Sequence, residues 1–260
     1  MLLLLPMGTT SSIRSGDPNT WGGKTFVTFD LDWACDSVLA DTIDLVEDAD
    51  VAATWFVTHD TSLLARLRAN PKFELGVHPN FNWLLQGDSR NGANAREVLQ
   101  RLMTLVPEAK SVRSHSMTQS SQLLQLFAEA GLTHDVNHFI PASLGVDFAP
   151  WTLWNGMTRV PYFWEDDVYC ICQAAGIPEP TAGSAAVHGG RGLKVFDIHP
   201  IHVFLNTEHL DRYERTRSLH QNPTELIKHR YEGYGTRNQL MELLALARKD
   251  AEVATTAKST

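Results

Sequence analysis

The sequence predicts an α/β fold, a parallel sheet with crossover helices in a single domain, and two observations predict it. Short β-branched and aromatic runs alternate with amphipathic stretches along most of the chain, the pattern that βαβ units require. The chain has 260 residues, 43% hydrophobic and 20% charged, with no internal repeat and no low-complexity linker, so one sizeable core suffices. On alternation alone the sheet either closes as a barrel or opens as a doubly wound layer.

The elements follow in order. A polar, Gly/Ser-rich lead occupies residues 1–23. TFVTFDL (25–31) reads as a buried strand, ADTIDLVEDA (40–49) as a helix, VAATWFV (51–57) as a second strand and SLLARLRA (62–69) as a second helix. KFELGV (72–77) is a third strand, AREVLQRLMTLV (95–106) an amphipathic helix and KSVRS (110–114) a short strand. SSQLLQLFAEAGL follows, with Ser120 or Ser121 as N-cap and Gly131 just past the helix end. Residues 141–180 read as loops rich in Pro, Gly and Trp. KVFDIHPIHVFL (194–205) returns as a strand, TRNQLMELLALARK (236–249) as a closing helix, and residues 251–260 as a frayed tail.

Composition excludes some partners. A net charge of −8 and no Lys/Arg cluster argue against nucleic acid, which needs a basic stripe, and favour a small polar or sugar-like substrate. No apolar stretch of eighteen residues exists, so no membrane span is expected. The four leucines before Pro6 are too short for a secretory signal. Cys35, Cys170 and Cys172 form no CxxC motif and read as buried small side chains. The expected location is the cytoplasm.

Sites on parallel sheets lie at the carboxyl ends of the strands. Here the first strand ends in Asp30 and Asp32, the third runs into His78 and Asn82, the short fourth delivers Arg113 and His115, and the late strand delivers His199. Strand alternation sends Asp30 and Asp32 to one face, where a divalent cation or an arginine must offset their repulsion. Singly, each residue has an ordinary explanation: a solvated strand end, a helix cap, a hydrogen-bonded loop histidine, a surface ion pair. Their coincidence at one end of successive strands points to a metal site. Trp33 and Trp164 are the candidate substrate contacts, since aromatic faces stack on sugar rings, while Trp55 reads as core. HGGRG (188–192) precedes a strand rather than a helix and reads as a turn, not a phosphate cradle.

The series TFDLDW, ELGVHPNFN, VRSHS, PYFWEDD and FDIHP resembles, in order and spacing, the five motifs of the polysaccharide deacetylase family of nodulation-factor-deacetylase-type carbohydrate esterases. It is most similar to the WbmS-like branch found with O-antigen loci. The resemblance covers residues 24–205, and the ordered set is far more specific than any single motif. It implies a distorted (β/α) barrel, here residues 24–250, with about seven parallel strands, and a metal-dependent hydrolase that removes the N-acyl group of an amino sugar. Carried onto this chain, Asp30 is the catalytic base, Asp32 and His78 bind the metal, Arg113 orients Asp30, His199 is the general acid, and Asp166 with Asp167 supplies the carboxylate that orients His199. The implied cofactor is one divalent ion, zinc first, with cobalt, manganese, nickel or iron as alternatives.

Two departures stand out. The first motif is D-x-D followed by Trp33, not adjacent aspartates followed by Gly. The second motif has Asn82 where the family has a second histidine, and an amide oxygen is a poor zinc ligand. His115, two residues after Arg113, is the preferred third ligand. A backbone N–H between Ser114 and Ser116 is expected to stabilise the developing oxyanion.

Three rival readings carry different expectations. A haloacid-dehalogenase-type phosphatase also opens with a strand ending D-x-D, but leaves His78 and His199 without purpose. A D-x-D glycosyltransferase usually places its motif after a nucleotide-binding half. A non-catalytic sugar-binding protein with a decayed metal site is supported by Asn82 and opposed by the joint presence of Asp30, Arg113 and His199.

Overall fold

The computed structural model describes residues 8–188 and 190–256; the leucine run before Pro6, Gly189 of HGGRG and the last four residues lie outside them. Nine strands form one sheet: β1 (Thr25–Asp30), β2 (Ala53–Val57), β3 (Phe73–Val77), β4 (Ser111–Val112), β5 (His134–Asp135), β6 (Trp151–Thr152), β7 (Thr158–Arg159), β8 (Trp164–Glu165) and β9 (Lys194–Ile198). Their order is β6-β7-β5-β4-β3-β2-β1-β9-β8. Every pairing is parallel except β6 with β7. The curled, mostly parallel sheet is thus a single-domain, distorted (β/α) barrel with nine strands in place of seven. The strands not read from the sequence are β5 and the three two-residue strands at 151–165, where loops were expected.

One stretch brings the two edges round. Val160 N–H donates to the Asp135 carbonyl (2.8 Å) and Phe163 N–H to that of Val195 (3.1 Å). Residues 158–165 therefore pair with β5 at one end and β9 at the other.

Alternation divides the apolar side chains into two cores. Leu39, Ile43 and Val46 of the helix Asp36–Asp48 pack with Phe29, Trp55 and Leu75 outside the sheet. Phe26, Phe56, Val136, Tyr162 and Val195 face inward. At the lower end of this interior the N-terminal segment enters: Ile13 joins the inward cluster, and Glu74 accepts hydrogen bonds from Thr10 Oγ1 (3.3 Å), Ser11 N–H (2.9 Å), Thr54 Oγ1 (3.2 Å) and Ser111 Oγ (2.6 Å). The polar lead is therefore in part an internal filling of the sheet.

Several boundaries move. β1 stops at Asp30, one residue early. The late run divides: β9 ends at Ile198, and Pro200 opens a helix, Pro200–Leu205, because proline has no N–H to give a ladder but suits the first helical turn. Ser120 caps the helix Ser121–Glu129 through Leu123 N–H (3.2 Å). The closing helix runs from Thr236 to Thr256, seven residues past its expected end and into the expected tail.

Candidate metal centre and active site

Asp30 and Asp32 do converge, but not by strand alternation. Past the end of β1 the backbone turns left-handed, with φ of 39° at Asp32 and 57° at Trp33. Such conformations cost non-glycine residues roughly 1 kcal/mol or more and persist where the surroundings fix them. Here Trp33 N–H donates to Thr58 Oγ1 (3.1 Å), Ala34 N–H to the Leu31 carbonyl (2.9 Å), and Gln221 Nε2 to the Trp33 carbonyl (3.0 Å).

The turn aims Asp32 at two imidazoles. His78 follows β3, and its N–H donates to the Val57 carbonyl (2.9 Å); His115 follows β4, and its N–H donates to that of Pro79 (3.0 Å). Asp32 Oδ1 lies 3.3 Å from His78 Nε2 and 3.3 Å from His115 Nδ1, and these nitrogens are 3.3 Å apart. Bonds of about 2.0–2.1 Å to a tetrahedral cation span edges of about 3.3 Å, so the three atoms form one face of such a shell. Asp32 Oδ1 is buried with no well-formed hydrogen bond. The residues fit a divalent cation of the zinc class.

The electrostatics of Asp32 and His78 agree. Burial alone would raise the Asp32 carboxyl; the His115 and His78 imidazoles beside it hold it well below the usual carboxylate range. Burial pushes His78 down, against the pull of Asp32, and so favours the neutral imidazole that a ligand requires. His78 Nδ1 lies 3.4 Å from Asp30 Oδ2.

Asp30 sits deeper, 3% exposed. Arg113 Nη1 donates to its Oδ1 (3.0 Å) and also to Oδ1 of Asp197. The guanidinium lies between the rings of Phe56 and Tyr162, 4.5 and 4.6 Å from their centroids. Burial raises the Asp30 carboxyl, and Arg113 is the chief influence opposing it. On the other side, His199 Nδ1 bonds Asp166 Oδ1 (2.7 Å), and its backbone N–H donates to Asp166 Oδ2 (2.9 Å). Burial would lower this histidine; the charge of Asp166 carries it well above its ordinary value. Its Nε2 faces Asp32 Oδ2 at 3.7 Å.

The structure thus brings together Asp30, Asp32, His78, Arg113, His115, Asp166 and His199. It leaves out three expected residues. Asn82 is turned away: its amide donates to Ser116 Oγ (3.0 Å) and accepts from Thr118 Oγ1 (3.2 Å). Asp167 gives its backbone N–H to Asp166 Oδ1 (2.9 Å), while Asp166 alone of the pair bonds His199. Trp164 is 1% exposed, packed against Tyr169 and Phe196, with Nε1 on the Pro180 carbonyl (2.9 Å). It is a core residue, since no face remains for a sugar. Trp33, by contrast, is 38% exposed and stands edge-on to His115, with centroids 5.1 Å apart. Of the backbone N–H groups at 114–116, Ser114 is committed to Asn137 Oδ1 (2.7 Å) and His115 to Pro79. Ser116 sits in a left-handed conformation, with φ 56°.

Two participants escaped the sequence reading. Asp197 lies on β9, two residues before the His199 that follows it; that alternation was the available signal. Asn137 fixes the Ser114 backbone and takes its own orientation from Asp135 Oδ1 (2.6 Å).

Comparisons with known proteins identify the family of the chain. A family model described as WbmS-like polysaccharide deacetylase matches residues 27–217. A Bordetella bronchiseptica crystal structure, described as a polysaccharide deacetylase involved in O-antigen biosynthesis, is 47% identical with a TM-score of 0.82, covering 90% of this chain and 95% of its own. A Mycobacterium smegmatis polysaccharide deacetylase (17% identity, TM-score 0.44, covering 95% and 93%) and a Bacillus anthracis family 4 carbohydrate esterase (16%, 0.41, 86% and 84%) are also similar. A search of curated proteins finds no match. A match over most of the chain, with a near relative of the same description, makes this chain a member of the WbmS-like polysaccharide deacetylase family.

Proposed function

We propose that this protein hydrolyses the N-acyl group of an amino sugar in the biosynthesis of O-antigen or a related polysaccharide, with one divalent cation, zinc first, held by Asp32, His78 and His115. The observation that carries this reading is the 3.3 Å triangle of those three ligand atoms, flanked by the Asp30 carboxylate on one side and the Asp166-bound His199 on the other. When bound, the cation supplies Lewis-acid polarisation of the acyl carbonyl and lowers the pKa of water.

The chain's own residues supply the rest. Asp30 accepts a proton from the attacking water, while Arg113 offsets its charge and fixes its direction. Ser116 N–H donates to the oxygen that gains charge. His199 transfers its proton to the departing nitrogen as the C–N bond breaks, so that the amine leaves neutral, and Asp166 holds the ring for that transfer. A phosphatase reading of D-x-D is not favoured, because His78, His115 and His199 would have no task in it. No helix among the described residues is long and apolar enough to cross a membrane, and we place the reaction in the cytoplasm.

The test is release of acylate from N-acetylated amino sugars, alone, nucleotide-linked and in oligosaccharides. Release that a chelator abolishes and zinc or cobalt restores supports the reading. Glycan binding without turnover under saturating metal, or phosphate release under magnesium, overturns it.

A further inference from the structure

Asp197 has no part in the steps above, yet it is built into them. It stands on β9 opposite Thr28 of β1, is 0% exposed, and shares a single nitrogen of Arg113 with Asp30. The same guanidinium donates to Thr28 Oγ1 (2.8 Å) and to the Val136 carbonyl (3.3 Å), and Thr28 Oγ1 donates onward to the Phe196 carbonyl (2.6 Å). One cation is thus stretched between two buried carboxylates and two neutral acceptors, while Oδ2 of Asp197 has no hydrogen bond. Satisfaction of Arg113 alone does not require this arrangement, since Asp30 offers two oxygens in a fork that guanidinium matches well. Only Oδ1 of Asp30 is used; Oδ2 remains on the His78 side at 3.4 Å.

We propose that Asp197 is a positioning residue for the hydrolysis: it draws Arg113 off a two-oxygen grip on Asp30 and so leaves one Asp30 oxygen turned toward the reacting water. This rests on the deacetylase reading for its consequence in rate, though not for its geometry. Without Asp197, Arg113 Nη1 keeps one carboxylate partner and is free to close on both oxygens of Asp30, which turns the base away from the opening.

The experiment compares Asp197→Ala and Asp197→Asn with the parent, each checked for fold and for metal content. Asp197→Ala is expected to lower kcat about 100-fold, the scale of a misplaced catalytic group, with KM and bound metal unchanged. Asp197→Asn keeps an acceptor for Arg113 and is expected to recover most of that loss. Crystal structures of the metal-loaded variants give a readout independent of turnover: a bidentate Arg113–Asp30 pair in Asp197→Ala, and the parent's single contact in Asp197→Asn. The proposal falls if both variants keep the parent's kcat, if the asparagine variant is as slow as the alanine one, or if Asp30 holds its place in the alanine variant. A parent inactive on every N-acyl sugar overturns the deacetylase reading instead and leaves the structural comparison to decide this one.

Discussion

His199 Nε2 faces Asp32 Oδ2 across 3.7 Å, so the histidine after the ninth strand and the carboxylate after the first open onto the same space. Residues this close still separate by task. Asp32→Ala and His78→Ala are expected to lose both metal and turnover, because each removes one corner of the triangle. Asp30→Asn should keep its metal and lose roughly 10²–10⁴ in kcat. Elemental analysis of the purified variants beside acetate release distinguishes the two outcomes.

Asn82 offers a sharper choice among ligands. Its amide is already shared between Ser116 and Thr118, so Asn82→Ala should bind a full equivalent of zinc, whereas His115→Ala should bind far less. Calorimetric titration of the metal-free proteins measures this directly; the reverse order would assign the third corner to Asn82.

The two tryptophans should behave oppositely. Trp33→Ala is expected to raise KM with little change in melting temperature, since the ring is part-exposed beside His115. Trp164→Ala should cost about 3–5 kcal/mol of stability, as large-to-small core changes do. Denaturant unfolding and steady-state kinetics on both variants make the comparison.

At the lower end, every neighbour of the Glu74 carboxylate is a donor. Glu74→Gln places an NH₂ group among Thr10, Ser11, Thr54 and Ser111, and it should cost about 1–3 kcal/mol for the unmatched groups. Removal of residues 1–12 should destabilise comparably, which urea unfolding would show.

His134 gives that region a pH dependence. Its Nε2–H donates to the Ile13 carbonyl (2.9 Å), and burial lowers its pKa. The unfolded chain therefore takes up the proton first as pH falls through about 6.5, and its contribution to stability declines with acidification until the folded value is passed. Melting temperatures between pH 8 and 5 should fall less steeply in His134→Gln than in the parent; equal slopes would count against the assignment.

Much of this was written in the sequence, for identifiable reasons. β1, β2, β3 and β9 are five- or six-residue apolar runs, long enough to read, and the side chains just beyond them fall at one end of any parallel sheet. β4 to β8 have two residues each, too few to show a period, which is why the stretch joining the sheet's edges read as loops. KVFDIHPIHVFL is apolar at most positions, and period alone cannot separate strand from helix in such a run; Pro200 was the informative residue. The turn at Asp32 and Trp33 depends on Thr58 and Gln221, distant partners that no local pattern records. Trp164 looked available only because the strand pair enclosing it was not visible.

The filled lower end makes the barrel a cup instead of a tube. On the proposed reading, substrate and products pass at the carboxyl ends of the strands, where Asp32 and His199 face each other. Binding and release therefore share that end of the sheet.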